Sequence, residues 1–106
     1  MKTALTIAGT DPSGGAGIHA DLKTFTAYRV YGMGAVTAIV AQNTRGVRGI
    51  EKVSPSMVEA QLEAVFTDIF PDAVKIGMLA DAATGEIVAK VLRKYRPAHV
   101  IVDPVL

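Results

Sequence analysis

The residues able to do chemistry fall in four places. One is the stretch IAGTDPSGGAGIHADLKTF, residues 7–25, which carries Asp11, His19 and Asp21. The others are Gln42-Asn43-Thr44, Gly77-Met78 and Asp103-Pro104-Val105. In the first, an apolar run enters a loop with Gly9, Pro12, Gly14, Gly15 and Gly17, and the loop opens a helical pattern. Such a corner leaves backbone N–H groups free, because the first turn of a helix has no internal partners and carries partial positive charge. A phosphate loop is the first hypothesis. A Walker loop needs G-x-x-x-x-G-K-[ST]; Gly9 and Gly14 satisfy the glycine spacing, but Gly15 and Ala16 replace the lysine and the hydroxyl residue. A dinucleotide fingerprint needs G-x-G-x-x-G, which Gly14, Gly15 and Gly17 do not match. What remains is a tight turn that lets a ligand approach the backbone, or a compact structural corner.

Asp21 lies on the edge of the apolar stripe made by Ile18, Leu22 and Phe25. Helical side chains lean toward the N-terminus, so its carboxylate is expected to reach back over Gly17 toward the loop mouth. There it either satisfies loop N–H groups or contacts a ligand. Asp11 suits an Asx turn, and His19 falls on a different, solvated face. Gln42 and Asn43 end an apolar run. An amide presents a donor beside an acceptor, which suits the edge of a heterocycle, or else it caps a sheet end. The Met78 thioether could lie on a flat ring or be plain core. Asp103 before Pro104 is a metal- or phosphate-site carboxylate or a turn former. The sequence shows no nucleophile–base pair, no histidine cluster and no metal-ligand spacing.

The elements that must position these residues are legible from periodicity and punctuation. Ala4–Ala8 reads as a short buried strand and Ala16–Tyr28 as a helix stopped by Gly32 and Gly34. Ala35–Ala41 is a continuous, β-branched apolar run and reads as one inner strand. Val47–Val53 reads as a short edge strand. Ser54-Pro55 is a helix start, and Val58, Leu62, Val65, Phe66 and Ile69 form the stripe of a helix ended near Pro71. Ala73–Ile76 is a third inner strand. Asp81 caps the next helix, whose buried face is Ile87, Val88, Val91, Leu92 and Tyr95. Lys90, Arg93, Lys94 and Arg96 suit its C-terminal dipole, and Pro97 closes it. His99–Val102 is a fourth inner strand. Strands alternating with amphipathic helices imply right-handed crossovers and a mostly parallel sheet covered on both faces. In such sheets ligands bind beyond the carboxyl ends of the strands, where all four chemical sites fall.

Composition narrows the class. The chain has 106 residues, half of them hydrophobic, which suits one folded domain with a real core. Eleven Lys and Arg against ten Asp and Glu leave a net charge of +1, giving no broad field for nucleic acid or an acidic membrane surface. There is no cysteine, so no disulfide and no thiolate metal site. The N-terminus reads as a strand rather than a signal peptide, and no apolar run has the length of a membrane span, so a cytoplasmic protein is expected. A homodimer is compatible with the sequence.

The blocks IAGTDPSGGAGIHADLKTF, VTAIVAQNTRGV, KIGML and VIVDPV, in this order and spacing, resemble the N-terminal part of the hydroxymethylpyrimidine/phosphomethylpyrimidine kinases. These are thiamine-biosynthesis members of the ribokinase-like superfamily, with pyridoxal kinases as relatives. The resemblance implies a three-layer α/β/α fold, and the use of ATP and Mg²⁺ in two phosphorylations. The first acts on the hydroxymethyl group of 4-amino-5-hydroxymethyl-2-methylpyrimidine, the second on its monophosphate. It also implies a pyrimidine site at Gly9, Asp21, Gln42, Met78 and Val105. Gln42 would pair with the aminopyrimidine edge, Met78 would pack on the ring, and Asp21 would lie near the hydroxymethyl group. The glycine loop would then serve the substrate rather than ATP.

One departure stands out. The family's Gly-rich anion hole and Cys general base come late in a longer chain, and nothing here matches them. No catalytic residue is therefore assigned. Residues 1–106 are expected to be the N-terminal, substrate-side part of a single kinase domain, unable to transfer phosphate alone. A final strand with no layer after it fits that expectation. Two alternatives stay open: a pyridoxal kinase of the same superfamily, and a stand-alone binding or receiver-like signalling domain. The latter should carry an acidic pair after the first strand, where this chain has Asp11 alone.

Overall fold

The computed structural model describes residues 1–104. The strands are β1 (Thr3–Ala8), β2 (Tyr31–Val36), β3 (Ala38–Asn43), β4 (Gly46–Lys52), β5 (Ala73–Ile76) and β6 (His99–Val102); the helices are α1 (Gly17–Ala27), α2 (Pro55–Phe66) and α3 (Ala82–Tyr95). Four strands form a parallel sheet in the order β2-β1-β5-β6, and β3 and β4 form a separate antiparallel pair.

Period-two alternation along β1 separates the two faces of the sheet. Leu5 and Ile7, both fully buried, join Val74 and Ile76 of β5 against Val58, Leu62 and Phe66 of α2 and Val88 and Val91 of α3. Burying each such aliphatic side chain contributes about 1.5–3 kcal/mol. The opposite face carries the small or polar Ala4, Thr6 and Ala8, and α1 lies on it. The expected three-layer α/β/α arrangement is thus present.

Local chemistry fixes the helix ends. Ser54 Oγ accepts from Met57 N at 3.2 Å, with Pro55 in the first turn of α2, and Asp81 Oδ1 accepts from Thr84 N at 2.8 Å at the start of α3. The two helices are clamped together by Lys90–Glu59 (3.0 Å) and Lys94–Glu63 (3.1 Å). Beside these, Tyr95 stacks on Phe66 with ring centres 4.8 Å apart, and its hydroxyl donates to Glu63.

Three expectations need correction. The apolar run Ala35–Ala41 is not one strand: it breaks at Thr37, which passes the chain from the main sheet to the hairpin. Thr37 can be buried at this break because its polar atoms are all used. Its N–H donates to Ala8 O (2.9 Å), its carbonyl accepts from Val53 N (2.9 Å), and its hydroxyl donates to Met78 O (2.6 Å). Gly32 and Gly34 do not stop α1. They lie within β2, where their missing side chains let the helix sit close: a Cβ on Gly32 would be 3.0 Å from Leu22 and Phe25, and one on Gly34 would be 3.3 Å from Ile18. The helix ends earlier, at Tyr28, and Arg29 follows with φ of 59°. Finally, β6 is the outer strand among the described residues, with Val100, Ile101 and Val102 exposed.

Candidate functional site

The carboxyl ends of β1, β5 and β6 meet the start of α1 and the hairpin around a cavity of about 330 Å³. Gly9 and Thr10 follow β1, Ala16 and Gly17 come from the start of α1, and Val40, Gln42, Val47 and Ile50 from the hairpin. Lys75, Gly77 and Met78 follow along β5, and Asp103 follows β6. That size suits a small heterocycle, and the mixture of apolar wall with a few polar groups is that of a ligand pocket.

The glycine loop is closed by its own side chains. Asp11, buried, accepts from Ser13 Oγ (2.6 Å) and Ser13 N (2.9 Å) through Oδ1 and from Gly15 N (3.0 Å) through Oδ2, the Asx turn its position suggested. The Ser13 hydroxyl, then the backbone N–H groups of Ser13 and Gly15, hold its carboxyl below the usual carboxylate range. His19 is exposed as expected, but its Nδ1 accepts from Asp11 N at 3.1 Å, so the ring also braces the loop. Gly17 has φ of +58°, and any Cβ there would strike the Gly9 carbonyl, which accepts from Ile18 N at 2.9 Å. At the helix start, then, one of the free N–H groups is already committed to β1.

The hairpin is buttoned to this loop. Thr10 N donates to Ala38 O (3.0 Å), Val40 N to Thr10 Oγ1 (2.9 Å), and Gln42 Nε2 to Thr10 O (3.5 Å). A bulge between Ala41 and Gln42 marks the point where the strand turns toward the cavity. Gln42 arrives there on the hairpin rather than at the end of an inner strand. Met78 lies against Gly9, where a Cβ would be 2.5 Å from its Cε. Gly9, Gln42 and Met78 therefore share one wall system. Val105 falls outside the described residues.

Asp21 does not satisfy loop N–H groups. Its Oδ2 accepts from Thr6 Oγ1 at 2.6 Å, and both of its oxygens accept from Lys75 Nζ at 2.9 Å. Lys75 Nζ also lies 3.7 Å from Asp103 Oδ2. Sequence reasoning missed Lys75. The signal was a lysine inside the otherwise apolar strand AVKI: a half-buried ammonium needs a carboxylate, and Asp21 is it.

A larger depression of about 780 Å³ lies on the other side of the hairpin, between Pro12, His19, Ile39, Val53, Met57 and Gln61. It is an open apolar trough that gathers none of the expected site residues. The Gln61 amide in its wall is spent on the backbone of Val36, at 2.8 and 2.9 Å. The smaller cavity at the strand ends is the better candidate.

A parallel sheet with helices on both faces and a hairpin beside the strand ends defines the ribokinase-like α/β class. The phosphomethylpyrimidine kinase family model matches residues 11–106, and the chain belongs to that family. It is 55% identical over 103 residues to the hydroxymethylpyrimidine/phosphomethylpyrimidine kinase of Escherichia coli K12, with 97% of this chain and 39% of that protein covered. The chain thus spans about two fifths of that relative's length. The crystal structure of phosphomethylpyrimidine kinase from Clostridium difficile 630 matches with a TM-score of 0.97 at 51% identity, covering all of this chain and 46% of that one. The pyridoxal kinase of Staphylococcus aureus, solved with AMP-PCP and pyridoxal, matches with a TM-score of 0.89 at 39% identity, covering all of this chain and 40% of that one. Family membership removes the receiver-like alternative. Among the described residues no helix is long and apolar enough to cross a membrane.

Proposed function

We propose that this chain is the substrate-side part of a single ribokinase-like kinase domain. The whole protein phosphorylates 4-amino-5-hydroxymethyl-2-methylpyrimidine and then its monophosphate, in thiamine diphosphate biosynthesis. One observation carries the reading beyond family membership: Gly9, Gln42 and Met78, far apart in sequence, line one small cavity with the Lys75–Asp21 pair at its side. In this reading the Gln42 amide pairs with the aminopyrimidine edge and the Met78 thioether covers the ring. Asp21 lies near the hydroxymethyl group, and Val105 is the remaining member of the site. Gly9, with no side chain, lets the Met78 thioether lie against the loop backbone.

ATP and Mg²⁺ are the expected co-substrate and metal, in keeping with the nucleotide analogue bound by the pyridoxal kinase. The described residues do not by themselves fit a nucleotide–metal site. The loop lacks a Walker lysine, and no cluster of three metal-ligating side chains occurs among them. Phosphoryl transfer depends on positioned charge around the transferred group, so residues 1–106 alone are expected to bind and not to turn over. We place the enzyme in the cytoplasm, and a homodimer is compatible with the exposed Ile39 on the hairpin and Met57 on α2.

The test is turnover by the full-length protein. Phosphorylation of the pyrimidine alcohol and its monophosphate in preference to pyridoxal is the expected result; preference for pyridoxal would install the second reading, which the likeness to pyridoxal kinase supports. Phosphate transfer by isolated residues 1–106 would refute the division of labour.

A further inference from the structure

The geometry points to Lys75, rather than Asp21, as the group that meets the ligand's exocyclic hydroxyl. This rests on the pyrimidine reading and deepens it. Asp21 is already occupied: Oδ2 accepts from Thr6 and Lys75, and Oδ1 accepts from Lys75. Its side chain is only 16% exposed, and Thr6 is fully buried. A carboxylate so held has little capacity left for a substrate proton or hydroxyl.

Lys75 differs in each respect. Its side chain lines the cavity and is 25% exposed. An ammonium carries three N–H donors, and two suffice for Asp21. Asp103, at 3.7 Å, is beyond hydrogen-bond distance, so a third donor has no acceptor among the described residues. Space for an acceptor exists beside it: a Cβ on Gly77 would be 3.7 Å from Nζ, and Gly77 has none.

The ammonium can donate its third N–H to the oxygen of the alcohol. Asp21 and Thr6 are positioning residues for Lys75: they fix the ammonium at the sheet surface so that its free donor projects into the cavity.

Binding of two compounds to the full-length protein tests this: the 5-hydroxymethyl pyrimidine and its 5-methyl analogue, which lacks only the hydroxyl. The wild type should prefer the alcohol by roughly tenfold, the size of a hydrogen bond from a charged donor. Lys75→Met should lose that preference by weakening the alcohol alone. A merely structural lysine would weaken both compounds together. Because Lys75→Met leaves the Asp21 carboxylate unpaired, the double variant Lys75→Met/Asp21→Asn, which removes both charges, guards against misfolding and should show the same lost preference. Asp21→Asn alone keeps the donor but loosens its position, so its preference should lie between those of the wild type and Lys75→Met. An undiminished preference in the double variant, or none in the wild type, overturns the assignment. Failure of the wild type to bind either compound sinks the pyrimidine reading and the assignment with it.

Discussion

Thr37 Oγ1 donates to the carbonyl of Met78 at 2.6 Å, across forty-one residues of sequence. That bond ties the break between main sheet and hairpin to the loop after β5, so one buried hydroxyl joins two walls of the cavity. Thr37→Val keeps shape and strands the Met78 carbonyl. It should cost about 1–3 kcal/mol in urea unfolding, the penalty for a buried acceptor left without a donor. Thr37→Ser keeps the hydroxyl and should stay within about 1 kcal/mol of wild type. A loss in Thr37→Ser with none in Thr37→Val would show that the methyl, not the hydroxyl, matters.

The Gln42 side chain makes one long contact, 3.5 Å to Thr10 O, and is half-buried on β3. Gln42→Ala should leave the melting temperature nearly unchanged and weaken the pyrimidine alcohol roughly tenfold, as one unpaired polar ligand edge requires. Isothermal titration calorimetry decides; equal affinity in both proteins removes Gln42 from the site.

Gly17 is held at positive φ with the Gly9 carbonyl where a side chain would start. Gly17→Ala should destabilise by about 1–2 kcal/mol from the backbone conformation alone, and by more as the loop is pushed from β1. Chemical denaturation gives the loss; a neutral result would mean the corner relaxes freely.

Glu63 should carry part of the pH dependence of stability. The Tyr95 hydroxyl and then the Lys94 ammonium hold its carboxyl below the usual range, while Glu63 raises Lys94 and Tyr95 above theirs. A carboxylate depressed in the folded state stabilises above its unfolded pKa, about 4.3, and that stability is lost as pH falls through the folded value. The raised Lys94 and Tyr95 contribute stability that is lost as pH rises beyond about 10. Glu63→Gln should therefore flatten the melting-temperature profile at both ends. A profile parallel to wild type would show that the cluster does not couple folding to protons.

Much of this was legible in the chain because the signals were local. The Ser54 and Asp81 caps, the Asx turn of Asp11 and the apolar stripes of α2 and α3 all act within one or two turns of chain. What was not legible depended on partners far away in sequence. A continuous apolar run gives no hint that Thr37 will leave the sheet, because the three groups that satisfy it belong to Ala8, Val53 and Met78. Asp21 was placed over the loop mouth by helical lean, but a cation on β5, fifty-four residues on, drew it to the sheet. Glycines at 32 and 34 read as helix stops, since the helix they accommodate packs on them only after folding.

Those two glycines carry a consequence for anyone redesigning the pocket. α1 rests on a track with two methyl groups left out, and its first turn is the lip of the cavity. Gly34→Ala would press on Ile18 in that first turn, which must give by a few tenths of an ångström, with no change to any lining residue. A shift in ligand affinity in this variant would show that the cavity can be reached from behind the helix; a crystal structure with the lip unmoved would end that route.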